Sequence, residues 1–310
     1  NRFFLPSVYS KKVLNFFRKS SVVEAITNTD YSGEISAFGD SVKIIKEPVI
    51  SVSAYTRNSD TTETRLTDAE TSLVVDSANA FKFIVDDIET NMSHVNFKEV
   101  ASSSAAYALK DAYDAAVIVT MFAGLSASSP NHVLGSDSAT DLASGTFDGT
   151  GNLDIGFGTD EHDPLDLMGR MSRLLDDQNV PEEGRWFVAA PEWYDALANT
   201  SSKLLSVDYN AGQGSLRNGL VASGLVRGFQ MYKSNNLPTN DLSGATPAGS
   251  ATAPEALFGQ MSAVSCAQNL KIVESLRSTS TFADIVRGLM VFGRKVLRTD
   301  IVGKIIYVAD

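Results

Sequence analysis

Between Ser41 and Glu89 the chain carries two runs of strand character separated by a polar stretch that it has no means to bury, and this constrains the fold more than any other feature. Val42 and Ile44, then Ile50, Val52 and Ala54, alternate as extended chain does, and Pro48 confines that run to an edge or bulged position. "TRNSDTTETRLT", Thr56 to Thr67, has no core period. A second run, "SLVVDSANAFKFIVDDIE", alternates at Phe81, Phe83 and Val85. Together they predict a long hairpin whose tip has nothing in its own subunit to pack against. An arm of that length is either a solvated loop or a functional one.

A helix is expected directly afterwards. Asn96 is placed as its N-cap with Glu99 completing a capping box, and the pattern runs from Phe97 to about Phe122 before Gly124 ends it. At about 1.5 Å per residue it spans close to 40 Å, a spine longer than most globular helices. Its small residues (Ser102, Ser103, Ser104, Ala105, Ala106, Ala112, Ala115, Ala116) suggest close packing against a sheet. Residues 126–160, rich in Gly, Ser, Thr and Asp, predict irregular connection with short strands. Asp163 and Pro164 form an N-cap and first-turn pair opening a second helix, with Leu167, Met168, Met171, Leu174 and Leu175 on one face and Pro181 closing it. "RWFVAAPEWYDALAN" predicts a buried strand, a turn and a short helix begun by Pro191, and "GLVRGFQMYKSNNLP" a strand pair. Residues 238–254 predict a low-complexity exposed loop, and "LKIVESLRS" and "GKIIYVAD" strands flanking Phe282 to Arg298. The class is α+β, without an internal repeat.

The charge is unevenly spread. The first twenty residues hold Arg2, Lys11, Lys12, Arg18 and Lys19 and no acid, on a chain whose formal net charge is −11. From Ser10 to Ser21 a helical wheel places Val13, Leu14, Phe16 and Phe17 opposite the basic side chains. The segment is a helix packed on its own domain, a segment docking on another subunit, or a weak membrane-surface helix. No apolar run of about 7 or more residues follows the positive charges, which disfavours a signal peptide. No run approaches the ~18 apolar residues of a membrane span, so a soluble chain with no membrane partner is expected. The acidic body disfavours a broad nucleic-acid face, because phosphate neutralisation needs clustered Lys and Arg.

Motifs for chemistry are sparse. "TDEHDP" makes Asp160, His162 and Asp163 the best metal candidate, but acids directly before a helix are explained by capping and by the helix dipole. "DGTGNLDIGFGTD" lacks the Gly-Lys-Ser/Thr ending of a phosphate loop and the ligand spacing of an EF-hand. The single cysteine, Cys266, rules out an intrachain disulfide. No catalytic residue, cofactor or metal is assigned.

The order of parts carries a resemblance. The basic arm, the polar-tipped hairpin ending in "FKFIVDDIETNMSHVNF", the Ala-rich spine, the second helix, "VPEEGRWFVAAPEWYDAL", "GLVRGFQMYKSNNLP" and "RGLMVFGRKVLRTD" resemble, over nearly the whole chain, the major capsid proteins of tailed bacteriophages. That is the Hong Kong 97-type fold, and the likeness is nearest to the coat proteins of short-tailed phages. The resemblance implies an N-arm (1–39), an extended loop (40–75), a peripheral domain (76–184 and 285–310) and an axial domain (185–284). It also implies a non-enzymatic shell protein of the virion, assembled in the bacterial cytoplasm into pentamers and hexamers. Scaffolding protein, a portal and, in some shells, a decoration protein would be partners, with packaged double-stranded DNA held by confinement. On that reading Lys11, Lys12, Phe16, Phe17 and Arg18 of the arm and Arg57, Glu63 and Arg65 of the loop are the expected inter-subunit contacts. Two other readings are an encapsulin-like cellular compartment, distinguished by an enzyme cargo, and a metal-dependent enzyme built on Asp160, His162 and Asp163. Some shells of this type crosslink a loop lysine to a neighbour's asparagine; no lysine occurs here between Lys46 and Lys82. A shell of this chain should therefore run as a single monomer band on a reducing, boiled denaturing gel, and a ladder of multimers would refute a non-covalent shell.

Overall fold

The structure is a computed structural model; it describes residues 21–31, 38–46, 69–87, 97–125, 132–133, 153–157, 162–199, 225–241 and 252–309, with isolated positions at 19, 50, 52, 54 and 57. Among them the chain is α+β, with three sheets and one long helix.

β1 (Ser41–Lys46) and β2 (Ala69–Val74) pair antiparallel from Ser41 opposite Val74 to Lys46 opposite Ala69, forming the base of the expected hairpin. The second extended run is not one strand. It breaks at Val75 and Asp76, after which β3 (Ser77–Asp86) leaves the hairpin and joins a different sheet, in the order β10 (Val264–Arg277), β11 (Ala283–Val296), β3. The segment Phe282 to Arg298, expected only to be flanked by strands, is itself mostly β11.

The long helix α2 follows α1, a single turn at Val23–Ile26, and spans Phe97–Gly124. Its start matches the expected one, while Asn96 lies outside the described residues. Only some of the small residues face the body: Ala116 packs on the core, whereas Ser103, Ser104, Ala106 and Ala112 are exposed. The buried stripe is instead Leu109, Tyr113, Val117, Ile118 and Met121, spaced by three or four residues. Large side chains give more buried area per turn than alanine, and the sheet leaves room for them. Tyr113 meets Phe292 of β11 edge to face, with ring centroids 5.3 Å apart. Gly124 is the last helical residue rather than a cap beyond the end, and its constraint is steric: a Cβ there would lie 2.8 Å from Val296.

α3 (Pro164–Asp177) begins as expected, the Asp163 carboxylate accepting from Leu165 N–H at 2.8 Å, and buries Leu167, Met168, Met171, Leu174 and Leu175. Its stop is set before Pro181. Asn179 adopts a left-handed φ of 59°, Val180 N–H reaches the Leu175 carbonyl and Asn179 N–H that of Asp176, which closes the last turn in a Schellman arrangement. β6 (Arg185–Ala189) is buried along its length because it is central: it pairs parallel with β7 (Gln230–Lys233) and antiparallel with β9 (Thr252–Gln260). β12 (Val302–Ala309) continues the sheet beyond β9, flanked by the parallel strands β4 (His132–Val133) and β5 (Leu153–Ile155). The low-complexity stretch is strand at both ends, β8 (Thr239–Asp241) pairing with Thr252 to Pro254 of β9. α4 (Pro191–Leu197) lays Trp193 between Phe187 and Tyr307, at ring distances of 5.1 and 4.9 Å, and Phe187 and Phe258 both meet Phe229. The main core is thus continuous from α2 through the mixed sheet to α3 and α4.

A second, small cluster of Leu73, Val75, Ala267 and Val291 sits under the hairpin base, with Val42 and Ile44 packed on it. There the end of β2 crosses β11 so closely that a Cβ on Gly293 would stand 2.5 Å from the Val74 carbonyl oxygen. Backbone cannot yield as a flexible side chain can. Gly293→Ala should therefore cost the subunit about 1–3 kcal/mol, measured by urea denaturation, and tilt the hairpin base; an unchanged midpoint would refute the crossing.

Candidate inter-subunit contact surfaces

Two segments lie across the body of the molecule in a way its own fold does not require: the chain entering from the N-terminus and the hairpin. The first is held at one carboxylate. Asp114 is on the apolar stripe of α2 and fully buried; one of its oxygens accepts from Ser21 Oγ at 2.9 Å and from the backbone N–H groups of Val22 and Val23, both at 3.0 Å. An acid from a distant helix thereby caps α1, whose own N-cap residue, Val22, has no side chain to do so. The other oxygen accepts from Asn236 Nδ2 at 3.2 Å, and the same amide donates to Asp111 at 2.7 Å. Asn236 belongs to the "SNNLP" run that leaves β7, where Ser234 N–H also bonds the Ala189 carbonyl.

The entering segment is further secured along its length. Lys19 N–H donates to Tyr107 Oη at 2.7 Å, and Lys110 pairs with Glu24 at 2.9 Å, with Gln268 of β10 also donating to Glu24. The Lys110 hydrogen bond holds the Glu24 carboxyl below its ordinary range despite partial burial. That contribution is complete above the ordinary carboxylate pKa and fades as pH falls through the lowered one. Asn28 then bridges β10 at Ser265, its N–H going to the Val264 carbonyl and its carbonyl accepting from Cys266 N–H.

The hairpin leaves through a fixed turn. Gly39, at φ +89°, donates to the Val75 carbonyl while Val75 N–H donates to that of Asp40. Beyond this root Ile45 is 76% exposed, Ile50 65% and Val52 96%. The far end of the three-stranded sheet presents a second apolar group, Phe282 at 82% exposure with Ile84 and Leu276. Its charges are paired among themselves: Arg277 binds Asp87 and Asp284, Lys98 lies 3.7 Å from Asp284, and Arg287 binds Glu274. These exposed pairs add little stability.

Of the contacts expected in sequence, Lys11, Lys12, Phe16, Phe17, Arg18, Glu63 and Arg65 lie outside the described residues, and Arg57 is an exposed turn residue. Asp114, Asn236 and Phe282 were missed. Asp114 had a legible signal, an acid in register with Val117, Ile118 and Met121. For the metal reading, Asp160 lies outside the described residues, Asp163 is occupied as a cap, and the His162 backbone bridges Ile155. No group of three metal-ligating side chains occurs among the described residues. Cys266 is buried, its thiol pushed up to about 11 by desolvation, which leaves it unreactive. No described helix is long and apolar enough to cross a membrane.

No protein-family model and no curated protein matches the chain. Solved structures do. A structure from Mycobacterium phage Che8 is 24% identical with a TM-score of 0.74, covering 98% of each chain. The capsid structure of cyanophage P-SCSP1u is 21% identical with a TM-score of 0.70, covering 99% of this chain and 94% of that one. The mature capsid of bacteriophage PhiM1 is 14% identical at 0.65, covering 97% and 91%. The chain has the fold of phage capsid structures. Within this fold, the segment held by Asp114 and the hairpin root border stretches of chain outside the described residues.

Asp114→Ala should strip the cap from α1 and leave buried donors unpaired, costing about 2 kcal/mol or more in urea denaturation and opening residues 21–28 to limited proteolysis. Asp114→Asn, which keeps an acceptor, should cost less; equal losses would refute the capping role.

Proposed function

We propose that this chain is the major capsid protein of a tailed double-stranded DNA bacteriophage, a structural subunit that self-assembles into the icosahedral head and performs no catalysis. The observation that carries the proposal is the likeness, over nearly the whole length of both chains, to solved phage structures, among them the capsids of cyanophage P-SCSP1u and bacteriophage PhiM1. The subdivision follows the Hong Kong 97 type, with the N-arm at 1–39, the extended loop at 40–75, the peripheral domain at 76–184 and 285–310, and the axial domain at 185–284. Pentamers and hexamers of the chain close the shell in the host cytoplasm with a scaffolding protein and a portal, joined by a decoration protein where the virion carries one. The arm and the loop reach neighbouring subunits, with Lys11, Lys12, Phe16, Phe17, Arg18, Arg57, Glu63 and Arg65 as contacts.

Physical considerations support this reading. The hairpin carries exposed Ile45, Ile50 and Val52 on an arm rooted by only a small cluster, surface that a neighbour would cover. Many modest contacts repeated by symmetry sum to a strong container without any one being tight. A net charge of −11 suits a wall that confines DNA without gripping it.

Purified protein viewed by negative-stain electron microscopy should contain closed icosahedral shells, and virions should contain DNA rather than an enzyme cargo; a monodisperse monomer would sink the proposal. Deleting residues 1–20 should leave a folded subunit that closes shells poorly, and normal particles in sedimentation would refute the clasp.

A further inference from the structure

Two residues that break local rules meet at one cleft. Gly169 lies inside α3, where glycine is among the least favourable choices, and Arg227 holds a left-handed φ of 50°, a conformation that glycine or asparagine adopts far more readily. Arg227 and Gly228, at φ +86°, form the tight turn that lets Val226 and Phe229 exchange backbone hydrogen bonds. The Arg227 guanidinium is laid over Gly169, about 3.9 Å from where a Cβ would stand, so a side chain much larger than a methyl would displace it. Local rules are broken together where something other than stability is being served.

The cleft has a volume of about 340 Å³, and its walls include Ser172, Arg173, Asp176, Glu182, Arg185 and Arg227. Arg185 is spent on the fold: its guanidinium donates to Pro181 O, Ser172 Oγ, Asp176 and Val180 O, and it is 1% exposed. Asp176 is thereby neutralised. Arg227 is different, because among the described residues no carboxylate lies within ion-pair distance of it. An exposed cation is thus held in a strained turn at the cleft, without a paired carboxylate among the described residues.

We infer that this cleft receives one carboxylate side chain from a second copy of the chain, with Arg227 as its partner. The cleft admits a side chain and not a duplex. With Asp176 paired to Arg185, Glu182 on the wall repels a polyanion far more than it does a single carboxylate. The chain carries 37 acidic residues against 26 basic ones, so a neighbouring copy is a ready source. This inference rests on the shell reading.

Arg227→Gly separates folding from contact, because it removes the guanidinium while installing the residue that best tolerates the turn. Its subunit should melt at or above the wild-type temperature while the yield of particles in sedimentation falls several-fold, and Arg227→Lys should recover part of the yield. In Arg227→Lys protein assembled from isotopically labelled and unlabelled subunits, carbodiimide should couple position 227 to an Asp or Glu peptide carrying the other label. Wild-type yield from Arg227→Gly, or absence of mixed-label conjugates, overturns the inference. Conjugates lost when DNA fills the particle would place phosphate in the cleft and also overturn it. Failure of the wild-type chain to form any particle counts against the shell reading; the labelled coupling, run on whatever species forms, then decides the cleft separately.

Discussion

One buried carboxylate organises the parts that distinguish this molecule from a plain α+β domain. Asp114 sits in the middle of the long helix, away from water, and is stable there because both of its oxygens are occupied by donors from elsewhere in the chain. The donors come from residues 21–23 on one side and from Asn236 on the other, so three remote stretches share one polar centre. A hydrophobic contact at this point would hold the same elements together without specifying their register. The carboxylate fixes which residue of the entering segment turns into α1.

The hairpin is governed by a complementary device. Its base rests on a cluster too small to hold a long arm by burial alone, and the geometry is instead set by close backbone approach at Gly293 and by the Gly39 turn. Steric exclusion is directional in a way that apolar burial is not. Residues 21–23 and the hairpin base are thus positioned by polar capping and by backbone contact, while the main core, from Tyr113 through Phe187 to Tyr307, supplies the cohesion.

Much of this was legible in sequence wherever a local period or a cap sets the structure. The start of α2, the Asp163–Pro164 opening of α3, the all-apolar β6 and the Pro191 start of α4 follow from patterns a few residues long. What could not be read depends on partners far along the chain. The pattern through "LVVDSANAF" shows no interruption, yet the strand changes sheets at Val75 and Asp76 because Gly293, more than two hundred residues later, lets β2 cross. The small residues of α2 suggested a packing face, but helix–sheet contact was taken by Leu109, Tyr113, Val117 and Met121, which recover more area. Arg185 was legible only as part of a strand; its four acceptors tie the end of α3 to β6.

The attachment of the entering segment also sets how a mechanical load is carried. Asn28 lies alongside β10, with hydrogen bonds to Val264 and Cys266, and residues 21–23 are bonded to the middle of α2 rather than to its end. Tension applied through the first residues is resisted first by charge-assisted bonds at Asp114 and then by strand-like bonds at Asn28. The load passes into the helix at Asp114 and into the three-stranded sheet at Ser265. The segment is in effect a tendon inserted at mid-bone rather than at the tip.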